Sequence, residues 1–267
     1  MLFRSPLPSN TSEKLRSKLM TSLGKAISDY GLIKDGDTIL VCLSGGKDSY
    51  TMIDLLLHLQ TYAPVKFELI GMHLDQGHPG YPCDIMQDFF ESLGIKYHIE
   101  RQDTYSIVKR VIPEGKTMCG LCSRLRRGII YKLAKDLKAT KIALGHHRDD
   151  VIETLFLNLF YGGRLKSMPP KLLSDDKKNI LIRPLYYCSE EDIARYANYR
   201  NFPIIPCNLC GSQEQLKRAE IKKMISEWKR SNTDVEQKIF RSMMNIDLSQ
   251  LSDSTLFDFD GLENCRD

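Results

Sequence analysis

Along the chain, apolar positions fall into two alternating kinds of segment. The first kind is short and nearly continuous, rich in β-branched and aliphatic residues, at 38–43, 67–74, 96–100, 141–144 and 180–182. The second kind is longer and amphipathic, at 48–62, 82–94, 120–138, 149–161 and 189–200. Short apolar runs of this length suit strands covered on both faces, and the longer stretches suit helices. Residues 11–30 carry Leu15, Leu19, Leu23 and Ile27 at four-residue intervals, which puts them on one helical face, and Gly31 ends the pattern. Helical periodicity returns at 213–231 and 234–246, while 254–267 has no clear period. Strands alternating with helices predict an α/β fold, a mostly parallel sheet with helices on both faces, plus N- and C-terminal helical additions. The expected divisions are an N-terminal helical segment over 1–34, a central domain over 35–210, and C-terminal helices with an acidic tail over 211–267. No internal repeat or low-complexity linker interrupts this order.

Composition adds that the chain is a folded one: 42% hydrophobic and 27% charged residues exclude wholesale disorder and collagen-like repeats. No window approaches the ~18 uninterrupted apolar residues of a membrane span, and the first residues lack the apolar stretch of a secretory signal. A cytoplasmic protein with no membrane partner is therefore expected. In that compartment the eight cysteines read as thiols or metal ligands, not disulfides. Cys42, Cys83, Cys188 and Cys265 stand alone and read as small buried hydrophobes. The formal net charge of +4 conceals a segregation. Residues 109–148 hold eleven Lys/Arg against Glu114 and Asp136, whereas 247–267 hold six acids against Arg266. A basic run can be a solvated helix face, but this excess around a cysteine pair favours a polyanion-binding surface, with nucleic acid as the natural candidate.

Candidate chemistry begins at Ser44-Gly45-Gly46-Lys47-Asp48-Ser49, between an apolar strand and an amphipathic helix. Glycines permit a sharp turn and close backbone approach, the helix start offers free N–H groups, and Lys47 adds a positive charge, a combination suited to phosphate. It is not a Walker loop, which requires Gly in place of Val41 and Ser or Thr in place of Asp48. The motif resembles that of the PP-loop ATP pyrophosphatases. The resemblance implies an adenine-nucleotide α-hydrolase-like sheet and cleavage of ATP between its first two phosphates. Residues 44–49, with Lys47 and Asp48 catalytic, would then hold pyrophosphate and Mg2+. Asp75, at the end of the second strand, would lie near the ribose and adenine. Gly145-His146-His147-Arg148-Asp149-Asp150 resembles the family's G-H-x-x-D-D element. Asp149 and Asp150 there could share a magnesium ion or simply cap the helix that they begin.

Two C-x-x-C pairs, Cys119/Cys122 and Cys207/Cys210, remain. On spacing alone a closed four-cysteine zinc site is the leading reading, and an iron–sulfur cluster with an open iron position is the alternative. The stretches around both pairs, with G-H-H-R-D-D and I-R-P-L between them, closely resemble the TtcA-type tRNA 2-thiocytidine synthetases. That resemblance implies a 4Fe-4S cluster on Cys119, Cys122 and Cys210, leaving Cys207 unassigned. It also implies sulfur transfer to cytidine 32 of a tRNA anticodon loop after ATP activates the base. An IscS-type cysteine desulfurase would be the sulfur source and a homodimer the expected assembly. Arg124, Arg126 and Arg127 suit the phosphates of the RNA. Three rivals stay open: a lysidine-synthetase-like ligase, a relative of the phosphoadenylyl-sulfate reductases, and a non-catalytic RNA-binding module with structural zinc.

Overall fold

The computed structural model describes residues 10–113, 119–205 and 213–265. Helix α1 (Asn10–Tyr30) buries Leu15, Leu19, Leu23 and Ala26 along one stripe, as its periodicity predicts. Strand β1 (Asp37–Leu43) leads into α2 (Lys47–Gln60), β2 (Phe67–Asp75), α3 (Cys83–Leu93) and β3 (Lys96–Arg101). Then come α4 (Thr104–Val111), α5 (Cys119–Asp136), β4 (Lys141–Ala143), α6 (Arg148–Gly162), β5 (Lys171–Leu173), β6 (Ile180–Ile182) and α7 (Glu190–Arg200). Helices α8 (Gln213–Ser231) and α9 (Val235–Ser242) follow, with short 3-10 turns at Leu248–Gln250 and Asp260–Cys265.

The six strands lie in the order β3-β2-β1-β4-β6-β5, all pairs parallel except β5 with β6. Leu40, Ile70 and Ile142 on one face pack against Ile130, Leu133 and Ala134 of α5. On the other face Gly71 leaves the space that Phe90 of α3 fills, since a Cβ there would lie 2.3 Å from the ring. Tyr50 of α2 meets Phe89 of α3 at a centroid distance of 4.6 Å. Both faces of the central strands are therefore covered, which is why β1 and β2 read as nearly unbroken apolar runs, whereas the edge strands β3 and β5 are more exposed. Successive connections leave β1 toward β2 and arrive at β4 on its other side, so the chain changes direction between β1 and β4. In such sheets the crevice beyond the carboxyl ends at that reversal is where ligands bind.

Two elements depart from the sequence expectation. Helix α4 is built from Thr104-Tyr105-Ser106-Ile107-Val108-Lys109-Arg110-Val111, whose β-branched residues disfavour a helix. The Asp103 carboxylate starts it by accepting from Ser106 N at 2.9 Å. Strand β5 is three mostly exposed residues and has no period to detect. The chain divides into two compact units between Lys222 and Lys223. Within the second, Ile225 and Phe240 are buried and Lys229 pairs with Glu236 at 3.0 Å. Among the described residues no helix is long and apolar enough to cross a membrane.

Candidate active site

The phosphate-type loop begins where β1 ends. Gly45 takes φ +85°, a left-handed conformation, and a Cβ on it would press on Ile205 at 3.1 Å, so glycine is required twice over. Ile205 N also donates to Gly45 O at 2.9 Å. Gly46 is the N-cap of α2 and has no side chain to satisfy the first N–H groups of the helix, which stay available to an anion. Ser49 closes the loop from inside. Its hydroxyl donates to Gly46 O at 2.9 Å and accepts from Ser44 N at 3.2 Å. Lys47 Nζ lies 3.2 Å from Asp48 and 3.2 Å from Glu190. Burial disfavours its charge, but these two carboxylates outweigh burial and hold the ammonium above its ordinary range.

Gly145 follows β4 and touches this loop from the side. A Cβ there would lie 3.2 Å from Ser49 N and Cα. Next to it, the His146 imidazole is pushed down to about 4, first by burial and then by the nearby Arg183 guanidinium, so it is neutral near pH 7. His147, a residue to which the motif assigns no role, caps α6. Its side chain accepts from Asp150 N while the Asp150 carboxylate accepts from His147 N at 3.2 Å. The same ring brings Asp48 within 3.6 Å and Asp149 within 3.8 Å. Asp149 in turn accepts from Glu190 N at 2.9 Å, tying the start of α7 to the start of α6. Asp150 thus completes the capping box of α6, and Asp149 braces the first N–H of α7. Among the described residues no three His, Cys, Asp or Glu side chains are arranged to hold a metal ion.

Helix α8 adds cations that no motif announced. Arg218 reaches Asp150 at 3.4 Å and Glu153 at 3.1 Å, and Lys222 reaches Glu190 at 2.5 Å. Burial raises the Glu153 carboxyl, only partly countered by Arg218. Glu190 is held below the ordinary range despite its burial, chiefly by Lys222 and then Lys47. Glu190, Arg218 and Lys222 carry no sequence signal beyond a Ser189 N-cap, because their role arises only from packing.

At the neighbouring strand end, Asp75 is buried and its carboxylate accepts from Gly77 N at 2.9 Å. Gln76, one residue on, accepts from the Cys122 thiol at 3.2 Å. Cys122 stands in the first turns of α5, and Arg126 Nη2 lies 3.7 Å from its sulfur. Cys119 is the first residue of α5. Its side chain, and both Cys207 and Cys210, lie outside the described residues. Arg124 and Arg127 are exposed and donate to carbonyls four residues back, Gly120 O and Ser123 O. Among the described residues none of the three arginines pairs with a carboxylate. The loop, the Gly145 turn, Asp75 and Cys122 therefore gather along one edge of the sheet.

Residues 15–241 match the model of a PP-loop domain. A tRNA-cytidine(32) 2-sulfurtransferase from Dechloromonas aromatica (strain RCB) is 60% identical over 96% of this chain and 89% of its own length. The chain belongs to this branch of the PP-loop family. A second such sulfurtransferase, from Acaryochloris marina (strain MBIC 11017), is 59% identical over 94% of the chain and 89% of its own length. Among solved structures, the U34-tRNA thiolase NcsA from Methanococcus maripaludis, with its [4Fe-4S] cluster, superposes with a TM-score of 0.70. It is 23% identical and covers 90% of this chain and 81% of that one, which establishes a shared fold. The PP-loop family assignment and the mostly parallel sheet agree with the sequence reading.

Proposed function

We propose that the chain catalyses ATP-dependent thiolation of cytidine 32 in a tRNA anticodon loop, giving 2-thiocytidine, AMP and pyrophosphate. The observation that supports this is that a glycine-capped helix start and the helix carrying Cys119 and Cys122 lie beyond adjacent strand ends. His73 Nδ1, on the strand leading to Gln76, which accepts from the Cys122 thiol, lies 2.8 Å from Leu43 O at the foot of the loop, so the two halves are joined through β2. Residues 44–49 would receive the phosphates of ATP, with Lys47 leaving Glu190 to meet the charge that develops on pyrophosphate. A magnesium ion would be held by the ATP phosphates with one or two of the carboxylates of Asp48, Asp149 and Asp150, since among the described residues no three are arranged to hold one alone. ATP would adenylate the oxygen on carbon 2 of the cytosine, making AMP the leaving group when sulfur takes its place. Arg124, Arg126 and Arg127 would meet RNA phosphates.

The donor chemistry near Cys122 fits an iron–sulfur cluster. Cys122 is partly exposed in the first turns of α5 with Arg126 Nη2 3.7 Å from its sulfur, and cysteine sulfurs are the ligands such irons take. Cys119, Cys122 and Cys210 would hold it. When bound, the cluster would supply the sulfur that ends on carbon 2. A cysteine desulfurase as sulfur donor and a homodimeric assembly complete the reading. Anaerobic reconstitution with iron, sulfide, ATP and bulk tRNA, followed by nucleoside mass spectrometry, tests it. We expect 2-thiocytidine at position 32, its loss in Cys122→Ala together with the cluster's absorbance, and loss of ATP turnover with cluster retained in Lys47→Ala. A zinc-loaded protein with full activity would overturn it.

A further inference from the structure

The far end of α6 and the turn after it carry a surface that neither the phosphate loop nor the cysteine helix uses. Phe160, Tyr161 and Leu165 are 53%, 50% and 68% exposed, a large apolar display for one short segment. The run is Phe160-Tyr161-Gly162-Gly163-Arg164-Leu165-Lys166, two adjacent rings followed across a glycine turn by two cations. Arg164 and Lys166 are exposed, and among the described residues neither pairs with a carboxylate. Lys217 Nζ from α8 stands 4.3 Å from the centre of the Tyr161 ring and adds a third cation. Glu220, beside it on α8, accepts from the Tyr161 hydroxyl at 3.0 Å. Open space surrounds Gly163, leaving room for an approaching chain.

We propose that this aromatic and basic surface takes a single-stranded stretch of the tRNA, one base stacking on Phe160 and the flanking phosphates on Arg164 and Lys166. The chemistry favours RNA, because exposed π faces beside guanidinium and ammonium groups suit bases and phosphates, and the cations of Arg164, Lys166 and Lys217 outnumber Glu220, which suits a polyanion. The surface is also linked to the site. Helix α6 starts at Asp149 and Asp150 and ends at this patch, about 16 Å along its axis. The turn then runs back along the helix: Asn158 Nδ2 donates to Lys166 O at 3.0 Å and the Ser167 hydroxyl donates to Val151 O. Lys217 sits beside Arg218, which grips Asp150 and Glu153.

The inference rests on the proposed tRNA substrate, and its test separates the two. Fluorescence anisotropy of a labelled tRNA transcript carrying cytidine 32 is measured on the full chain, with ATP binding followed by calorimetry on the same samples. Phe160→Ala should weaken tRNA binding about tenfold, within the ~1–3 kcal/mol that a stacked base contributes. Phe160→Leu keeps the apolar contact with Phe156, whose ring centre is 5.4 Å away, and should lose the same affinity if stacking is the cause. The double variant R164A/K166A should lower the slope of log K against log salt by about 1.4 for two single-strand phosphates. ATP affinity should not change in any of them. Unchanged tRNA affinity and salt slope would overturn the surface, as would a loss of dimer in light scattering at unchanged tRNA affinity. Wild-type protein that binds no tRNA would instead overturn the thiolation reading.

Discussion

Gly145→Ala tests the site most directly. A methyl group at this position would lie 3.2 Å from Ser49 N and Cα and 3.3 Å from the Asp48 carbonyl carbon. These are backbone atoms, so no rotamer change can relieve the contact. Non-bonded carbons rest at about 3.5–4.0 Å, and the start of α2 must therefore retreat by roughly half an ångström. Overpacking of this kind costs about 1–3 kcal/mol. Because the displaced turn carries the Lys47 and Asp48 N–H groups proposed to meet phosphate, the cost should appear as weaker ATP binding, about tenfold at 1.4 kcal/mol per decade. Calorimetric titration of ATP into wild type and variant measures it, with urea denaturation to establish that the variant is folded. Gly24→Ala is the control. It lies inside α1 with nothing within 4 Å, and should add up to ~1 kcal/mol of stability without altering ATP affinity. A folded Gly145→Ala protein binding ATP within twofold of wild type would refute the argument that this close approach shapes the loop.

Further expectations concern charge and thiols. Glu190→Gln removes a carboxylate 3.2 Å from Lys47 and should tighten ATP binding several-fold at low salt and less at high salt; weaker binding would mean that Glu190 orients the lysine instead. Asp37 forms a buried pair with Lys141, and Asp37→Asn should cost about 3–5 kcal/mol near neutral pH by leaving the ammonium uncompensated. Burial pushes the Asp37 carboxyl up, but hydrogen bonds from Lys141, Lys34 N and Thr140 overcome this and hold it below its ordinary range. Its contribution is therefore present above the ordinary carboxylate range and lost as pH falls through the lowered folded value. The stability gap to the Asn variant in urea denaturation should accordingly close in acid, and a gap independent of pH would refute the assignment. Burial pushes the Cys42 and Cys188 thiols up to about 12, so iodoacetamide near neutral pH should leave both unmodified in folded, cluster-free protein while the partly exposed Cys122 reacts. Peptide mass spectrometry showing equal labelling would contradict this.

Much of the frame was legible because the signals are local. An apolar run, a glycine pair and a helix start lie within a dozen residues around Lys47, and the spacing of Cys119 and Cys122 survives without any tertiary information. The elements that escaped are those made by context. The β-branched residues of α4 are overruled by the Asp103 cap and by packing, and β5 exists only because β6 offers it an edge. The site shows the same division. Gly145 could be suspected from its motif, but the reason for it, contact with Ser49, depends on β1 and β4 being neighbours. Glu190 and Lys222 are forty or more residues beyond the G-H-x-x-D-D element, and only folding sets them beside Lys47.

The bond from Ile205 N to Gly45 O joins the floor of the nucleotide loop to the last described residue before Cys207 and Cys210. Gly45 has no side chain and Ile205 occupies the place that one would take, so neither can shift without the other. A loop that tightens on ATP would therefore tug on the thread carrying two further thiols. Nucleotide occupancy should be felt at Ile205, two residues before Cys207 in the sequence, with no separate relay required between them.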